Sequence, residues 1–421
     1  MRVILLAMKI NMAELKKKKK KIISKKKILK KKVVKKAPSK KLVKKPVKKL
    51  LKKIIKKSVR PVKKIIKKPT KKKVVKKTTK KVVKNKVVKF EKHESNPIIA
   101  PSLYDWESVA TFNPSAVEID GKIHIIYRAI GGDDQSSLGY ANTKDGFNID
   151  ERLTHFVYKR FMDNVDFCLP IFYDSGGGWS GGCEDPRLVV IGDRVYMTYT
   201  AFDGWGSVRL ALTSIKKEDF KNKKWKWEKS IFLSPPGEIH KNWVIFPEKI
   251  KGKFAVLHSF YPEILVDYFD DLNTLDGKGF IKSNNTRPVD ASREWDSWFR
   301  GVGPAPIKTK DGWLVFYHAM DHRNSDRYRM GALLLDLKNP TKILYRSKNP
   351  ILEPEEHYEN HGHKWGVVYS CGAVIKDKNL FIYYGGADKY VAVASIPLRE
   401  LLADLKKNKV IKLKKGKPLK K

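Results

Sequence analysis

Nothing in this chain is apolar for long enough to cross a bilayer. The opening run from Val3 to Met8 falls far short of the ~20 apolar residues of a spanning helix, and it is also too short for the core of a secretion signal. Cysteine is scarce as well. Cys168, Cys183 and Cys371 are odd in number and widely spaced, which builds neither a disulfide framework nor a CxxC zinc site. A soluble protein of a reducing, intracellular compartment is the expectation. There is no HExxH motif, and His357, His361 and His363 read as a polar loop, so neither a metal nor a resident cofactor is expected. Aromatic residues are absent before Phe90, which denies that region base stacking of the kind that binds single strands.

What the first 94 residues do contain is lysine. They carry 42 Lys and Arg against three Glu, leaving 48 basic and 41 acidic residues for the rest of the chain. The formal net charge of +46 therefore belongs to the ends, including Lys406 to Lys421, and the middle is nearly neutral. Such asymmetry marks a tail joined to an ordinary domain. The expected organisation is a tail over 1–94, one domain over 95–405 and a short basic tail over 406–421. Residues 15–90 repeat Lys-Lys between Val-Val, Ile-Ile or Leu-Leu pairs, punctuated by Pro46, Pro61 and Pro69. Regular structure would set like charges side by side, so disorder in isolation is expected. The segment resembles the lysine-rich tails of linker histones. It suits a polyanion, whether nucleic acid or an anionic surface, bound through counterion release; a solvated extension without a partner is the alternative.

An internal repeat organises the middle. Five segments share one layout: a turn residue, often Pro, an apolar stretch, a polar turn, then an alternating run ending in aromatics. They run from Asn113 to Ala129, Asp185 to Ala201, Phe246 to Phe260, Gly303 to Met320 and Ser370 to Ala387. Each has the pattern of a β-hairpin. Their spacing leaves room for a four-stranded sheet and its loops, and a radial array of such sheets leaves only short, protected edges. The predicted fold is all-β, a five-bladed β-propeller; a β-sandwich is the alternative.

At these repeats the sequence resembles glycoside hydrolase family 130, the inverting β-mannoside phosphorylases and β-mannosidases. The likeness rests on Gly182-Cys183-Glu184-Asp185-Pro186-Arg187, Asn113-Pro114-Ser115-Ala116, Tyr127-Arg128-Ala129, Phe246-Pro247-Glu248-Lys249, Gly303-Pro304-Ala305-Pro306, the stretch Gly312 to His318, and Tyr383-Tyr384-Gly385-Gly386-Ala387-Asp388. Their order against all five hairpins makes the match specific. The resemblance implies a propeller, an oligosaccharide substrate containing β-mannoside, and no cofactor beyond inorganic phosphate as co-substrate in the phosphorylases.

Cleaving a glycosidic bond with inversion needs an acid for the leaving oxygen and a nucleophile on the opposite face. The resemblance makes Asp185 the acid, relaying its proton through a sugar hydroxyl. Crowding by Glu184 near a pocket would raise its pKa, while Arg187 would oppose that; an Asp before Pro also commonly shapes a turn. Asn113, Arg128 and Asp388 match positions that line the family's sugar subsite, and Arg187 and Asn242 are further substrate-binding candidates. Trp205, Trp243, Trp298 and Trp365 could serve as platforms for pyranose faces, although each suits packing equally well.

The sequence also departs from the phosphorylases. Where they read His-Arg-Pro this chain has His258-Ser259-Phe260, and where they read Lys-Asn-Arg it has Lys241-Asn242-Trp243. The stretch that carries a Lys in the phosphorylases is here Trp298-Phe299-Arg300-Gly301. Holding a phosphate dianion out of water needs several convergent cations, so the loss at Ser259 favours hydrolysis, with Glu263 or Glu294 as the base that activates water. The alternative is a phosphorylase whose phosphate site is rebuilt from Lys241, Arg300 and His318. A second alternative is an inactive carbohydrate-binding propeller, and retention of Asp185 argues against it. A nucleic-acid scaffold fits poorly with a near-neutral domain.

The tail predicts that the full-length protein binds duplex DNA with little sequence preference and with affinity that falls steeply as salt rises. Fluorescence anisotropy across a salt series checks this; binding unchanged at high salt would rule out an electrostatic tail.

Overall fold

All five hairpins anticipated from the sequence are present, and each belongs to a larger antiparallel group of strands. The computed structural model describes residues 88–159, 181–202, 208–275, 279–283 and 294–409. The chain divides into two units, Met1–Val82 and Val83–Lys421, and every described residue lies in the second. Most of the expected tail, the end from residue 410, Cys168 and Trp205 lie outside the described residues.

A short strand, β1 (Glu91–Lys92), precedes the first group, which is β2 (Ala110–Ile119), β3 (Lys122–Ile130), β4 (Gln135–Thr143) and β5 (Glu151–Arg152). The second is β6 (Gly181–Ile191), β7 (Arg194–Phe202), β8 (Val208–Lys216) and β9 (Ile231–Phe232). The third holds β10 (Val244–Ile245), β11 (Phe254–Ser259) and β12 (Leu265–Phe269). The fourth holds β13 (Trp298–Val302), β14 (Ile307–Thr309), β15 (Gly312–Asp321), β16 (Asn324–Leu335) and β17 (Ile343–Arg346). The fifth is β18 (Val368–Lys376), β19 (Asn379–Gly386) and β20 (Tyr390–Pro397), with β1 paired to β20. Helices are short: α1 (Lys217–Lys221), α2 (His357–Asn360) and α3 (Leu398–Leu405).

Tight turns set the hairpin registers. Asp120-Gly121, Lys251-Gly252 and Asp377-Lys378 each place two consecutive residues at positive φ, the conformation whose twist matches that of the flanking strands.

The apolar pattern explains the tertiary arrangement. Along β15, Leu314 and Phe316 face the fifth group, whereas Trp313, Val315, Tyr317 and Ala319 face the third. Both faces of the sheet are buried, so the strand reads as a nearly continuous apolar run instead of a half-polar alternation. The same logic runs through the unit. Separate clusters pack the first group on the second, the second on the third, the third on the fourth and the fourth on the fifth. A further cluster, with Ile125 and Tyr127 against Phe381 and Tyr383, returns from the fifth group to the first. The groups thus form a closed cycle.

A parallel strand pair joins the first two groups. β4 pairs in parallel with β6 through Gln135–Gly181 and Ser136–Gly182. A Cβ at Gly182 would sit 2.2 Å from the Ser136 carbonyl oxygen, and its φ of +102° is also one that L side chains rarely adopt, so only glycine fits. Arg187 on β6 then ties the centre together. Its Nε donates to the Gly303 carbonyl at 2.9 Å and Nη1 to the Asp185 carbonyl at 2.8 Å. Its Nη2 donates to Asn242 Oδ1, the Tyr369 hydroxyl and the Val302 carbonyl at 2.9, 3.2 and 3.3 Å.

The fold reaches further towards the N-terminus than the expected boundary at residue 95. Phe90 is buried with β15, β19 and α3 in one cluster. Lys92 Nζ lies 2.6 Å from the fully buried Glu359 carboxylate, and Lys89 meets Glu353 at 2.7 Å. Deleting residues 1–87 should leave the melting temperature of the domain unchanged, whereas deleting 1–94 should lower it, since loss of Phe90 alone costs about 3 kcal/mol. Calorimetry on the two truncations checks this; equal melting temperatures would place the boundary after residue 94.

Candidate active site

Two strands carry the same irregularity. The β2–β3 register shifts between Phe112 and Ser115, and the β6–β7 register between Glu184 and Arg187. In each bulge a residue adopts left-handed φ just before a proline: Asn113 at +47° and Asp185 at +51°. A bulge takes a residue out of the ladder and re-aims its side chain. Here it brings Asn113 and Asp185 together, with Asn113 Nδ2 donating to Asp185 Oδ1 at 2.8 Å.

Arg128 on β3 completes this cluster. Its Nη2 donates to Glu184 Oε1 at 2.9 Å, its Nη1 reaches Asp185 Oδ1 at 3.3 Å, and its Nε donates to Ser136 Oγ at 3.0 Å. The guanidinium also lies over the Phe112 ring, 4.7 Å from its centroid. Asp388 enters from the β19–β20 turn, where it and Ala387 both have positive φ. A pocket of about 350 Å³ is lined by Phe112, Asn113, Arg128, Asp185, Lys241 and Asp388, with Tyr328, Lys364, Val367 and Tyr369 closing the other side.

The two pocket carboxyls are pushed in opposite directions. Burial raises Asp185, but Arg128, Lys241, Arg187 and the Asn113 hydrogen bond outweigh it, and the net shift is downward. The expectation that crowding would raise this group is therefore corrected: the cations win. Asp388 moves up, raised by burial and by the charge of Asp185 against the opposing Lys364, Arg128 and Lys241. Neighbouring carboxyls with separated pKa values divide into one that stays ionised and one that takes up a proton more readily.

A second pocket, of about 530 Å³, adjoins the first through Lys241, which lines both. Its walls include His240, Asn242, His258, Ser259 and Arg300. Both ring nitrogens of the buried His258 lack a hydrogen bond, with Asp267 3.5 Å from Nε2. Burial lowers the His258 pKa, helped by His240, although Asp267 opposes the shift. The Arg300 guanidinium stacks 4.4 Å from the Trp298 ring, and its Nε donates to the Tyr328 hydroxyl at 2.6 Å.

Three expected substrate contacts are used by the protein instead. Arg187 spends its guanidinium on the central carbonyls and hydroxyls described above. Asn242 accepts from Arg187 and from the Tyr369 hydroxyl, and its Nδ2 donates to the Arg300 carbonyl at 3.0 Å. His318 is fully buried; its Nε2 accepts the Ser370 amide at 2.9 Å and its ring stacks on Tyr369 at 4.0 Å. Burial, with Arg187 and Lys241, pushes its pKa down to about 3, so it is a neutral acceptor and not a cation for phosphate. Glu263 and Glu294, the expected bases, are exposed and do not belong to the lining of either pocket.

Of the tryptophans, Trp243 is buried, Trp298 is half-buried and Trp365 is exposed. Sequence reasoning missed Tyr328, Lys364 and Tyr369. Tyr369 directly precedes the fifth hairpin and could have been found there. Lys364 sits in a polar loop that carries no repeat signal. Among the described residues there is no cluster of His, Cys, Asp or Glu able to hold a metal, and no helix long and apolar enough to cross a membrane.

Known proteins are similar to this chain in sequence and fold. A family profile described as β-1,4-mannooligosaccharide phosphorylase, of glycoside hydrolase family 130, matches residues 70–407. A 1,2-β-oligomannan phosphorylase of Thermoanaerobacter sp. is 38% identical over 327 residues, covering 75% of this chain and 99% of that protein. Among solved structures, the Listeria innocua β-1,2-mannobiose phosphorylase in complex with β-1,2-mannobiose is similar with a TM-score of 0.58 at 26% identity, over 76% of this chain and 99% of that one. A structure described with family 130 glycoside hydrolases that target β-1,2-mannosidic linkages in Candida mannan is similar with a TM-score of 0.58 at 25% identity, over 79% and 97% of the two chains. The bulged Asn-Pro and Asp-Pro strands, the carboxylate and guanidinium pocket between them and these matches lead to one conclusion: the chain belongs to glycoside hydrolase family 130, the β-mannoside-active phosphorylases and hydrolases.

Proposed function

We propose that this protein is a five-bladed β-propeller phosphorylase that removes the terminal mannose of a β-1,2-linked mannoside with inorganic phosphate. The closed cycle of five strand groups supports the propeller. The observation that carries the activity is the second pocket, where Lys241, Arg300, His240 and His258 surround space that joins the Asp185 pocket at Lys241. These groups supply the convergent donors that a desolvated phosphate dianion requires. Arg300 and Lys241 are the cations expected for a rebuilt phosphate site, and His258 takes the place given above to His318.

The phosphorylases among the relatives favour this reading over the hydrolysis expected from Ser259. Hydrolysis stays as the second reading because the Arg of the phosphorylase pattern is replaced by Ser259 and because the family includes hydrolases. Its base would be Glu263 or Glu294, and their exposure weakens that case. The inactive carbohydrate-binding alternative would leave the pairing of Asp185 with Arg128 and Asn113 without a chemical role.

In the proposed reaction a phosphate oxygen attacks the anomeric carbon from the second pocket, and the bond to the leaving oxygen breaks. Asp185 supplies the proton through a sugar hydroxyl, giving mannose 1-phosphate and a shortened sugar. The surrounding cations hold Asp185 ionised. A phosphate dianion beside Lys241 would cancel part of the positive field that depresses it, so nucleophile binding and acid loading are coupled. Asn113, Arg128 and Asp388 hold the hydroxyls of the sugar. Arg187 keeps Asp185 in place by donating to its backbone carbonyl, and Asn242 in turn holds Arg187.

Incubating the protein with β-1,2-mannobiose, with and without phosphate, should give mannose 1-phosphate only when phosphate is present. Free mannose from both halves of the sugar, at a rate independent of phosphate, would establish hydrolysis; turnover of the β-1,4 isomer alone would overturn the linkage. The Asp185→Asn variant should lose ~10²–10⁴-fold in turnover with little change in melting temperature. Activity within a few-fold of the unmodified protein would remove Asp185 from the reaction, and a collapsed melting temperature would mark it as structural.

A further inference from the structure

One wall of the Asp185 pocket is a loop. Lys364 and Val367 come from the segment between α2 and β18, and Asp388 comes from the β19–β20 turn. Three backbone hydrogen bonds tie these pieces together. The Lys364 amide donates to the Ala387 carbonyl at 3.0 Å, the Ala387 amide to the Val367 carbonyl at 3.1 Å and the Val367 amide to the Glu359 carbonyl at 3.0 Å. Gly362 packs so closely on the same turn that a Cβ there would lie 2.3 Å from the Ala387 carbonyl oxygen. A displacement of Glu359 is therefore passed to Lys364, Val367 and the residue before Asp388.

Glu359 is a fully buried carboxylate on α2. One oxygen accepts the Tyr384 hydroxyl at 2.8 Å, and the other accepts the Glu355 and Glu356 amides at 2.6 and 2.8 Å. Its cation is Lys92 of β1, whose Nζ donates to that second oxygen at 2.6 Å and to the Glu353 carbonyl at 3.0 Å. No other cation among the described residues pairs with Glu359. The backbone of Lys92 is itself fixed, because β1 pairs with β20 through Lys92 and Ala394. Lys89, three residues earlier, meets Glu353 and Glu355 instead, at 2.7 and 2.9 Å, in pairs that reach solvent.

Resting on the reading of the Asp185 pocket as the mannose site, we infer that Lys92 is a positioning residue of the reaction: through Glu359 it sets the wall that receives the terminal mannose. Lys92 lines neither pocket, so it acts only through the residues between. A buried carboxylate stripped of its cation is costly unless water reaches it. Water reaches Glu359 when α2 shifts, and the bonds to Val367 and Ala387 carry that shift to the pocket. Charge moves with shape: burial raises Asp388, and Lys364 is the foremost cation opposing the rise. No residue on the path from Lys92 to Asp388 lines the second pocket, so the effect falls on the sugar.

Steady-state kinetics and calorimetric titration of mannose, on the full chain well below its melting temperature, test this. Lys92→Met should raise KM for the mannoside and weaken mannose binding about tenfold, inside the ~10²-fold that a misplacement of about 1 Å can cost, while KM for phosphate changes less than about twofold. Lys92→Arg, which keeps the charge, should recover most of the loss. So should Lys92→Met combined with Glu359→Gln, since the amide needs no counterion and can still meet the Tyr384 hydroxyl and the two backbone amides. Lys89→Met removes the same charge from the same segment and should leave both constants as they are. Unchanged KM for the mannoside in Lys92→Met, with or without a lower melting temperature, would overturn the inference. An equal rise in Lys89→Met, or no recovery in the double variant, would do the same. The unmodified protein tests the underlying reading separately. The ratios are taken on whichever of the β-1,2- and β-1,4-linked mannobioses it cleaves, and the mannoside ratio decides if cleavage is hydrolytic. Failure of the unmodified protein to bind mannose or either disaccharide would overturn the sugar reading of the pocket, and this inference with it.

Discussion

A buried guanidinium that makes no hydrogen bond to a carboxylate must find its acceptors among carbonyls and hydroxyls, and Arg187 finds them in four of the five strand groups. It sits on β6 and reaches Asn242 just before β10, the end of β13 with the turn after it, and Tyr369 on β18. A hydrogen bond to a buried charged group is typically worth about 1.5–3 kcal/mol, so these segments are held to one arrangement. The bulge bearing Asp185 is fixed by the same group, because Nη1 takes the Asp185 carbonyl. The strained φ at Asp185 is sustained by that bond, and the geometry of the pocket follows.

The electrostatics of the pocket follow from how the remaining charges are divided. Arg128 is shared between Glu184 and Asp185, so neither carboxylate neutralises it alone. Lys241 and Lys364 add positive charge from two other segments. The outcome is an ionised Asp185 beside an Asp388 whose affinity for protons is raised. A site of this kind is poised for an incoming negative charge, because Lys241, one of the cations that depress Asp185, also lines the second pocket. Water has no such leverage over Asp185, which is the physical reason that the proposed phosphate chemistry and the proposed acid suit one another.

Much of this was legible in the linear sequence, and for local reasons. Turn chemistry and period-two apolar runs located all five hairpins, since each is set by residues within a few positions of one another. Asp185, Asn113, Arg128 and Asp388 were found because they match the motifs through which the sequence resembles family 130. Errors arose where a side chain's partner lies far along the chain. Arg187, Asn242 and His318 carry polar groups suited to sugar, but Gly303, Tyr369 and Ser370 use them up, and no spacing rule announces contacts of 116, 127 and 52 residues.

The sequence alone determined the repeat, the fold class expected from it, the division of charge between tail and domain, and the identity of the acid candidate. The sign of the Asp185 shift, the neutrality of His318, the exposure of Glu263 and Glu294, the start of the fold before residue 90 and the exposure of Trp365 were decided only in three dimensions. The reason is the same in each case. Burial and charge–charge interaction depend on distance through space, whereas a sequence specifies distance only along the chain. At the centre of a closed ring of sheets, where every strand group contributes one or two side chains, those two distances have almost nothing in common.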